Sequence, residues 1–474
     1  MYIFFISVAL LLAGYFVYGK IVDSIFEPDE QRLTPAHTHN DGVDFVEMKP
    51  WKIFLVQLLN IAGLGPIFGP ILGALYGPSA LIWIVVGSIF GGAVHDYFSG
   101  MLSVRYEGKS IPDVVGFNLG YFFKQFMRVF SVVLLLLVGV VFVLGPAKLL
   151  ANMTSLPVMT LVAIIFAYYF IATILPIDKI IGRVYPLFGA VLIFMAVGLT
   201  VALMVKGYHF YPEKTLANIN PKELPLWPLM FITIACGAIS GFHATQSPLM
   251  ARCLPNEKMG RKVFYGAMIG EGVIALVWAT LGLSFYNDGV AGLNASLAQG
   301  GPAYVVNEIS TTLLGHFGGL LAVVGVIILP ISSGDTAFRS ARLIIADMLN
   351  FDQKPNLKRL AVAVPLFAVG YLISKSDFNI IWRYFGWANQ TLAMIVLWAA
   401  AAYLIKRNKF HWICTIPATF MTAVTFTYLA YAKIGFGMDL RISTYIGLFV
   451  AAASFVAFFV AFRKREESAE AMAA

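Results

Sequence analysis

Apolar runs long enough to cross about 30 Å of hydrocarbon recur along this chain, near residues 2–19, 53–76, 79–102, 126–148, 157–175, 183–206, 227–250, 263–286, 317–336, 358–374, 380–405, 411–432 and 442–462. Backbone inside a bilayer has no water to satisfy its N–H and C=O groups, so such runs fold as helices. The expected fold is an all-α polytopic membrane protein of about thirteen transmembrane helices. Composition agrees: 59% of residues are hydrophobic and 12% charged, against about 25% charged in a soluble domain. The first run lacks a basic segment before it and a small-x-small cleavage pattern after it, so it reads as a retained helix rather than a signal peptide.

Two runs carry a break in their own middle. One reads Asn60-Ile61-Ala62-Gly63-Leu64-Gly65-Pro66-Ile67-Phe68-Gly69-Pro70, the other Ala235-Cys236-Gly237-Ala238-Ile239-Ser240-Gly241-Phe242-His243. Unwound backbone in hydrocarbon survives only where it lines a cavity or grips a ligand. Paired interruptions in corresponding positions of two halves mark a transporter's binding site.

The formal charge of +8 fits Lys and Arg held in cytoplasmic loops better than a nucleic-acid partner. Basic residues fall on alternate loops: Arg105, Lys109, Lys124 and Arg128; Lys179 and Arg183; Arg252, Lys258, Arg261 and Lys262; Arg339, Arg342, Lys354, Lys358 and Arg359; Lys406, Arg407 and Lys409; Arg463, Lys464 and Arg465. With thirteen spans this puts the N-terminus outside and the C-terminus in the cytoplasm of a cell (inner) membrane protein. Cys236, Cys253 and Cys414 lack the paired spacing of a zinc site or a disulfide framework and read as small packing residues.

Five spans run from 53 to 206 and five from 227 to 405. An odd count per unit inverts the second unit, which is the LeuT-like five-plus-five arrangement with discontinuous helices. The expected organisation is an N-terminal helix and polar loop at 1–52, a first inverted repeat at 53–206, a connecting loop at 207–226, a second repeat at 227–405, and two C-terminal helices with a short tail at 406–474. In that arrangement the eighth core helix packs beside the first break. Carbonyls near Ala62 and Gly65, with the Ser332, Ser333 and Thr336 hydroxyls, could then form an oxygen cage for a cation. The competing expectation is that these hydroxyls bond back to their own helix.

Ionisable residues inside spans are costly enough to call for a role. His95, Asp96, Glu271 and Asp335 are the proton-coupling candidates. His95 and Asp96 are expected about a turn and a half from the end of their helix, and Asp335 at the end of its own. His243 follows the second break and can switch near physiological pH. Asn389 and Gln390, polar and early in their span, are expected to hydrogen-bond across helices. His37 and His39 could be metal ligands with a carboxylate, but the Thr-Pro-Ala before them and Asn-Asp-Gly after them are turn chemistry.

The stretches Thr34-Pro35-Ala36-His37-Thr38-His39-Asn40-Asp41-Gly42, Gly63 to Pro70, Gly237 to His243, Asp335-Thr336 through Ser340-Ala341-Arg342, and Phe385-Gly386-Trp387-Ala388-Asn389-Gln390 occur in this order over most of the chain. Together they resemble the carbon starvation protein A family of transporters. This chain is shorter than the family's large members and carries His at position 95, where a larger member carries Gln. The resemblance implies uptake of peptides or pyruvate, coupled to protons or another cation.

The combined expectation is a secondary active transporter, not an enzyme, with no cofactor beyond a coupling Na+ or H+ and with the lipid bilayer and a small-molecule substrate as its partners. Half-helix N-termini suit a carboxylate, so the substrate contacts are expected at Gly63, Leu64, Gly65, Pro66, Ser240, Gly241, His243 and Gln390. A channel or nutrient sensor with the same body is the alternative.

Overall fold

The computed structural model describes residues 2–42, 44–174, 177–211, 215–351, 353 and 355–473. Of the basic residues used above for orientation, Lys354 lies outside the described residues, as do the side chains of Lys179, Arg183, Arg463, Lys464 and Arg465. The described chain is helical, with no strand among the described residues. In order the main helices are α1 (Tyr2–Phe26), α2 (Pro50–Ile61), α3 (Gly65–Tyr76), α4 (Ser79–Arg105), α5 (Tyr121–Met153), α6 (Val158–Ile174), α7 (Ile177–Val205), α8 (Leu226–Thr233), α9 (Gly241–Ala251), α10 (Glu257–Ser284), α11 (Val290–Leu349), α12 (Asn356–Ile373), α13 (Phe378–Ile405), α14 (Trp412–Tyr431) and α15 (Leu440–Ala473). Among the described residues nine helices are long and apolar enough to cross a membrane, or ten when the bent pair α2–α3 is taken as one span. The remaining expected runs, 157–175, 227–250 and 358–374, fall on α6, on α8–α9 and on α12.

The run expected at 317–336 belongs to a longer helix. α11 is interrupted at Gly300–Gly301 and at Gly315, with φ of 69° at Gly301 and 70° at Gly315, and then continues unbroken to Leu349. Asp335 therefore lies well inside a helix rather than at its end. α4 likewise runs on to Arg105, which puts Asp96 about two and a half turns inside it and wholly buried.

Both breaks are present. α2 stops at Ile61, Pro66 occupies the first turn of α3 where its missing N–H costs nothing, and the two axes differ by 48°. α8 stops at Thr233, Ile234 to Ser240 are non-helical, and α9 starts at Gly241. Gly237 takes φ of 89°, which only glycine adopts freely.

The two breaks pack on each other. Gly65, Gly69 and Gly73 recur every fourth residue on one face of α3, and a Cβ on each would collide with Cys236, the Thr233 carbonyl and Ile234 respectively. Small residues at this spacing allow backbones to approach closely in a membrane. The carbonyls released by the second break are then taken up by neighbouring helices. Trp83 Nε1 donates to Ile234 O at 3.2 Å, Ser88 Oγ to Gly237 O at 2.9 Å and Gln390 Nε2 to Ile239 O at 3.0 Å. Left unpaired in hydrocarbon, each would cost several kcal/mol.

Three π-helical turns, Gly14–Tyr18, Ser88–Gly92 and Arg261–Tyr265, meet at the Tyr265 hydroxyl, which donates to Ile89 O at 3.0 Å and lies 3.4 Å from Gly14 O. A π turn misaligns a carbonyl, and one buried phenol serves two of them.

At one end of the bundle the segment between α1 and α2 straps two turns together. Thr34 Oγ1 donates to Leu254 O at 2.5 Å, His37 Nε2 lies 3.1 Å from Pro255 O, and His39 Nε2 lies 3.0 Å from the Glu107 carboxylate. Glu257 anchors the strap by accepting from Asp29 N at 2.8 Å and from Arg105 Nε at 2.7 Å. His37 and His39 thus fix a connection between chain segments distant in sequence.

The glycine face gives a direct test. Gly65→Ala is expected to lower stability by about 1–3 kcal/mol through overpacking, seen as a lower thermal midpoint in detergent. Gly198→Ala, whose Cβ meets Leu314 at an ordinary 3.8 Å, is expected to leave it unchanged or raise it slightly.

Candidate functional site

Four ionisable side chains from three helices converge where the second break meets α4 and α10. Asp96 on α4 binds two imidazoles: its Oδ1 lies 2.8 Å from His95 Nδ1 and its Oδ2 lies 2.8 Å from His243 Nδ1. A carboxylate oxygen accepts, so each Nδ1–H donates. His243, in the first turn of α9, turns its Nε2 toward Glu271 on α10, 3.2 Å from Oε2. All four side chains are fully buried. Ionised groups survive in hydrocarbon only when paired, and here one histidine bridges two carboxylates.

The unwound segment contributes Cys236 and Ser240 to the same place. Ser240 Oγ donates to Asn389 Oδ1 at 3.1 Å and lies 3.4 Å from Cys236 Sγ. Asn389 Oδ1 also accepts from Phe242 N at 2.6 Å, so an α13 side chain caps the N-terminus of α9. Gln390, next on α13, donates to Ile239 O and to Phe231 O at 3.3 Å. Potential ligand atoms of Cys236, His243 and Glu271 lie within 4.8 Å of one another.

The hydroxyl cluster lies beside the first break. Gly63 N bonds to Ile61 O at 2.9 Å instead of to Leu59 O, its helical partner. The released Leu59 carbonyl accepts from Ser333 Oγ at 3.0 Å, with Ser332 Oγ 3.4 Å away. The same hydroxyls also bond back along α11: Ser332 and Ser333 to Leu329 O at 2.7 and 3.1 Å, and Thr336 to Ser333 O at 3.0 Å. The hydroxyls thus bond back along their own helix, as the competing expectation has it, and the carbonyl they reach at the first break is Leu59 rather than Ala62 or Gly65.

The family model described as Carbon starvation protein CstA matches residues 1–161, 129–301 and 286–428. The chain belongs to the carbon starvation protein CstA family. An uncharacterized membrane protein of Haemophilus influenzae is 50% identical over 340 residues, 60% of this chain and 91% of its own length. The peptide transporter CstA of Campylobacter jejuni is 26% identical over 90% of this chain and 79% of its own. The pyruvate/proton symporter BtsT of Escherichia coli is 28% identical over 57% of this chain and 47% of its own.

Among solved structures, Mhp1, a nucleobase-cation-symport-1 family transporter, superposes with a TM-score of 0.53 at 14% identity, covering 88% of this chain and 93% of its own. An Eremococcus coleocola manganese transporter gives 0.56 at 12% identity, covering 90% and 99%. The fold is thus LeuT-like, and this member of the CstA family is a transporter rather than an enzyme.

Within this CstA-family chain, the structure brings together His95, Asp96, His243, Glu271, Ser240 and Gln390 around the second break, with Gly65 and Pro66 against it. Asp335 stands apart, buried on α11 with no hydrogen bond or ion pair to that cluster among the described residues. Cys236 and Asn389 are central and were legible only as a packing residue and a generic interhelical donor. Two adjacent polar residues early in an apolar span, Asn389 and Gln390, also part of the family resemblance, were the signal pointing to α13.

Asn389→Ala would leave the buried Phe242 N–H and Ser240 hydroxyl without their acceptor, at a cost of about 1–3 kcal/mol each. A marked fall in the thermal midpoint is expected, larger than that of Ser240→Ala, which removes one of the two donors and leaves Asn389 accepting from Phe242 N.

Proposed function

We propose that this chain is a secondary active transporter that imports a small carboxylate-bearing nutrient, pyruvate or a short peptide, by cation- or proton-coupled alternating access. The observation that carries the proposal is the direct packing of the two breaks, Gly65 and Pro66 against Cys236 and Gly237. Helices broken in hydrocarbon and set against each other are the machinery of a midplane binding site. The names of the relatives supply the substrate class, peptide for one and pyruvate with a proton for the other.

The substrate is proposed to bind at main-chain groups of Gly63 to Pro66, at Ser240 and Gly241, and at the His243 and Gln390 side chains. Asn389 already caps α9, so the positive end of the α3 dipole at Leu64–Gly65 is the better seat for a carboxylate. The coupling ion is proposed to be sodium, held by Ala62 and Gly65 carbonyls with the Ser332, Ser333 and Thr336 hydroxyls, or a proton on the buried carboxylates. The first broken span, α2–α3 with α4, and the second, α8–α9 with α10, are proposed to rock against the rest, with repeat bounds of 53–206 and 227–405.

The strapped end of the bundle is proposed to face the cytoplasm. Arg105, Lys109, Arg252 and Lys258 flank the strap, and Lys406 and Lys409 reach Asn118 O and Phe26 O there at 2.7 and 2.8 Å. This follows the positive-inside rule and supports an inner-membrane chain with its N-terminus outside.

Uptake into proteoliposomes tests the proposal, with inward sodium or proton gradients imposed in turn and labelled pyruvate or a labelled tripeptide supplied. At least one combination is expected to accumulate substrate above its no-gradient level. Failure of all four combinations would overturn the functional proposal.

A further inference from the structure

We propose that Cys236, His243 and Glu271 form a binding site for a divalent transition-metal ion of the zinc class, set between the second break and α10. The donor set is the first argument. A thiolate, an imidazole and a carboxylate suit zinc, cobalt or cadmium, whereas magnesium and calcium take oxygen ligands. The three ligand atoms lie within 4.8 Å of one another, and one pair, His243 Nε2 and Glu271 Oε2, stands at 3.2 Å. Tetrahedral ligands at ordinary bond lengths sit about 3.3–3.8 Å apart, so closure around an ion needs side-chain shifts of about an ångström.

The outer shell is the second argument. His243 Nδ1–H donates to Asp96 Oδ2 at 2.8 Å, which fixes the tautomer and turns the Nε2 lone pair toward Cys236 and Glu271. This is the carboxylate–histidine–metal relay that orients ligating imidazoles and raises their basicity. Asp96 is itself held by His95 Nδ1 at 2.8 Å.

The third argument is what is left over. The fully buried Glu271 carboxylate makes no well-aligned hydrogen bond among the described residues, and the ionisable group it faces at 3.2 Å is His243 Nε2. Asp96 and Glu271 are ion-paired only with histidines among the described residues. A dication would neutralise this excess of buried negative charge.

Three protein ligands leave the fourth tetrahedral position open to water. A bound ion ties the unwound segment through Cys236, α9 through His243 and α10 through Glu271, and so holds the second break in the arrangement seen here. The ion enters and leaves when the two halves part. His243 is also among the proposed substrate contacts, but the metal site is read on detergent-purified protein without substrate, so its failure is distinguishable from failure of the transport proposal.

The test is titration of that protein with Cd(II), following the ultraviolet thiolate-to-metal charge-transfer band, and with Co(II), following the visible absorption of a tetrahedral centre. One ion per chain is expected with both probes. The cadmium band should vanish in Cys236→Ser, a near-isosteric change whose fold is checked by circular dichroism. It should persist when Cys253 and Cys414 are both replaced by Ser; Cys253 is buried, and burial pushes its thiol up to about 12. Asp96→Asn keeps all three ligands and is expected to weaken Cd(II) binding 10–100-fold. A wild-type chain without a cysteine-linked band at saturating Cd(II), or a band that survives Cys236→Ser, would overturn the proposal.

Discussion

Everything near the centre of this molecule depends on how unwound backbone is satisfied inside hydrocarbon. The second break releases carbonyls at Ile234, Gly237 and Ile239, and they are met by Trp83 and Ser88 of α4 and Gln390 of α13. The new N-terminus at Gly241 is met by Asn389 of α13. The first break releases Leu59, which is met by Ser333 of α11. Those donors dictate which helices surround the breaks: α4, α11 and α13 sit where they do because each supplies a hydrogen bond that the lipid cannot. The Ile234, Gly237 and Ile239 carbonyls are thus satisfied by side chains of neighbouring helices, while Ile239 N bonds locally to Ala235 O.

Charge follows the same logic. Asp96 and Glu271 are buried on α4 and α10, and the histidine between them comes from the first turn of α9. Its position is set by the break: moving the start of α9 by one residue would rotate His243 about 100° away from both carboxylates. The break therefore places the charged cluster as well as the main-chain groups. Under the proposed alternating access, a rearrangement of the halves would be coupled in this way to the energetics of buried ionisable groups.

Much of this was legible in the sequence, and for physical reasons. Gly-rich and Pro-containing interruptions inside otherwise apolar runs located both breaks, because few other residues allow such backbone there. The intramembrane charges stood out because they are rare. Spacing could not show that His95, Asp96, His243 and Glu271 are neighbours, since they come from helices separated by up to 176 positions in sequence and meet only through tertiary packing. It also placed Asp335 at a helix end, because hydropathy falls after residue 336 while the helix, now among buried arginines such as Arg339 and Arg342, continues to Leu349. Cys236 passed as filler because the groups it lies near, His243 in the first turn of the next helix and Glu271 on the helix after that, are brought to it only by tertiary packing.

The central claim is that two broken spans packed face to face form a site that alternates between the two sides of the membrane. Counterflow across proteoliposomes measures this most directly: vesicles loaded with unlabelled pyruvate or tripeptide are diluted into trace labelled substrate with no ion gradient. The account predicts transient accumulation of label that saturates with internal substrate, since a single site must reload before it turns. Labelled flux that rises linearly and is indifferent to internal substrate would contradict it.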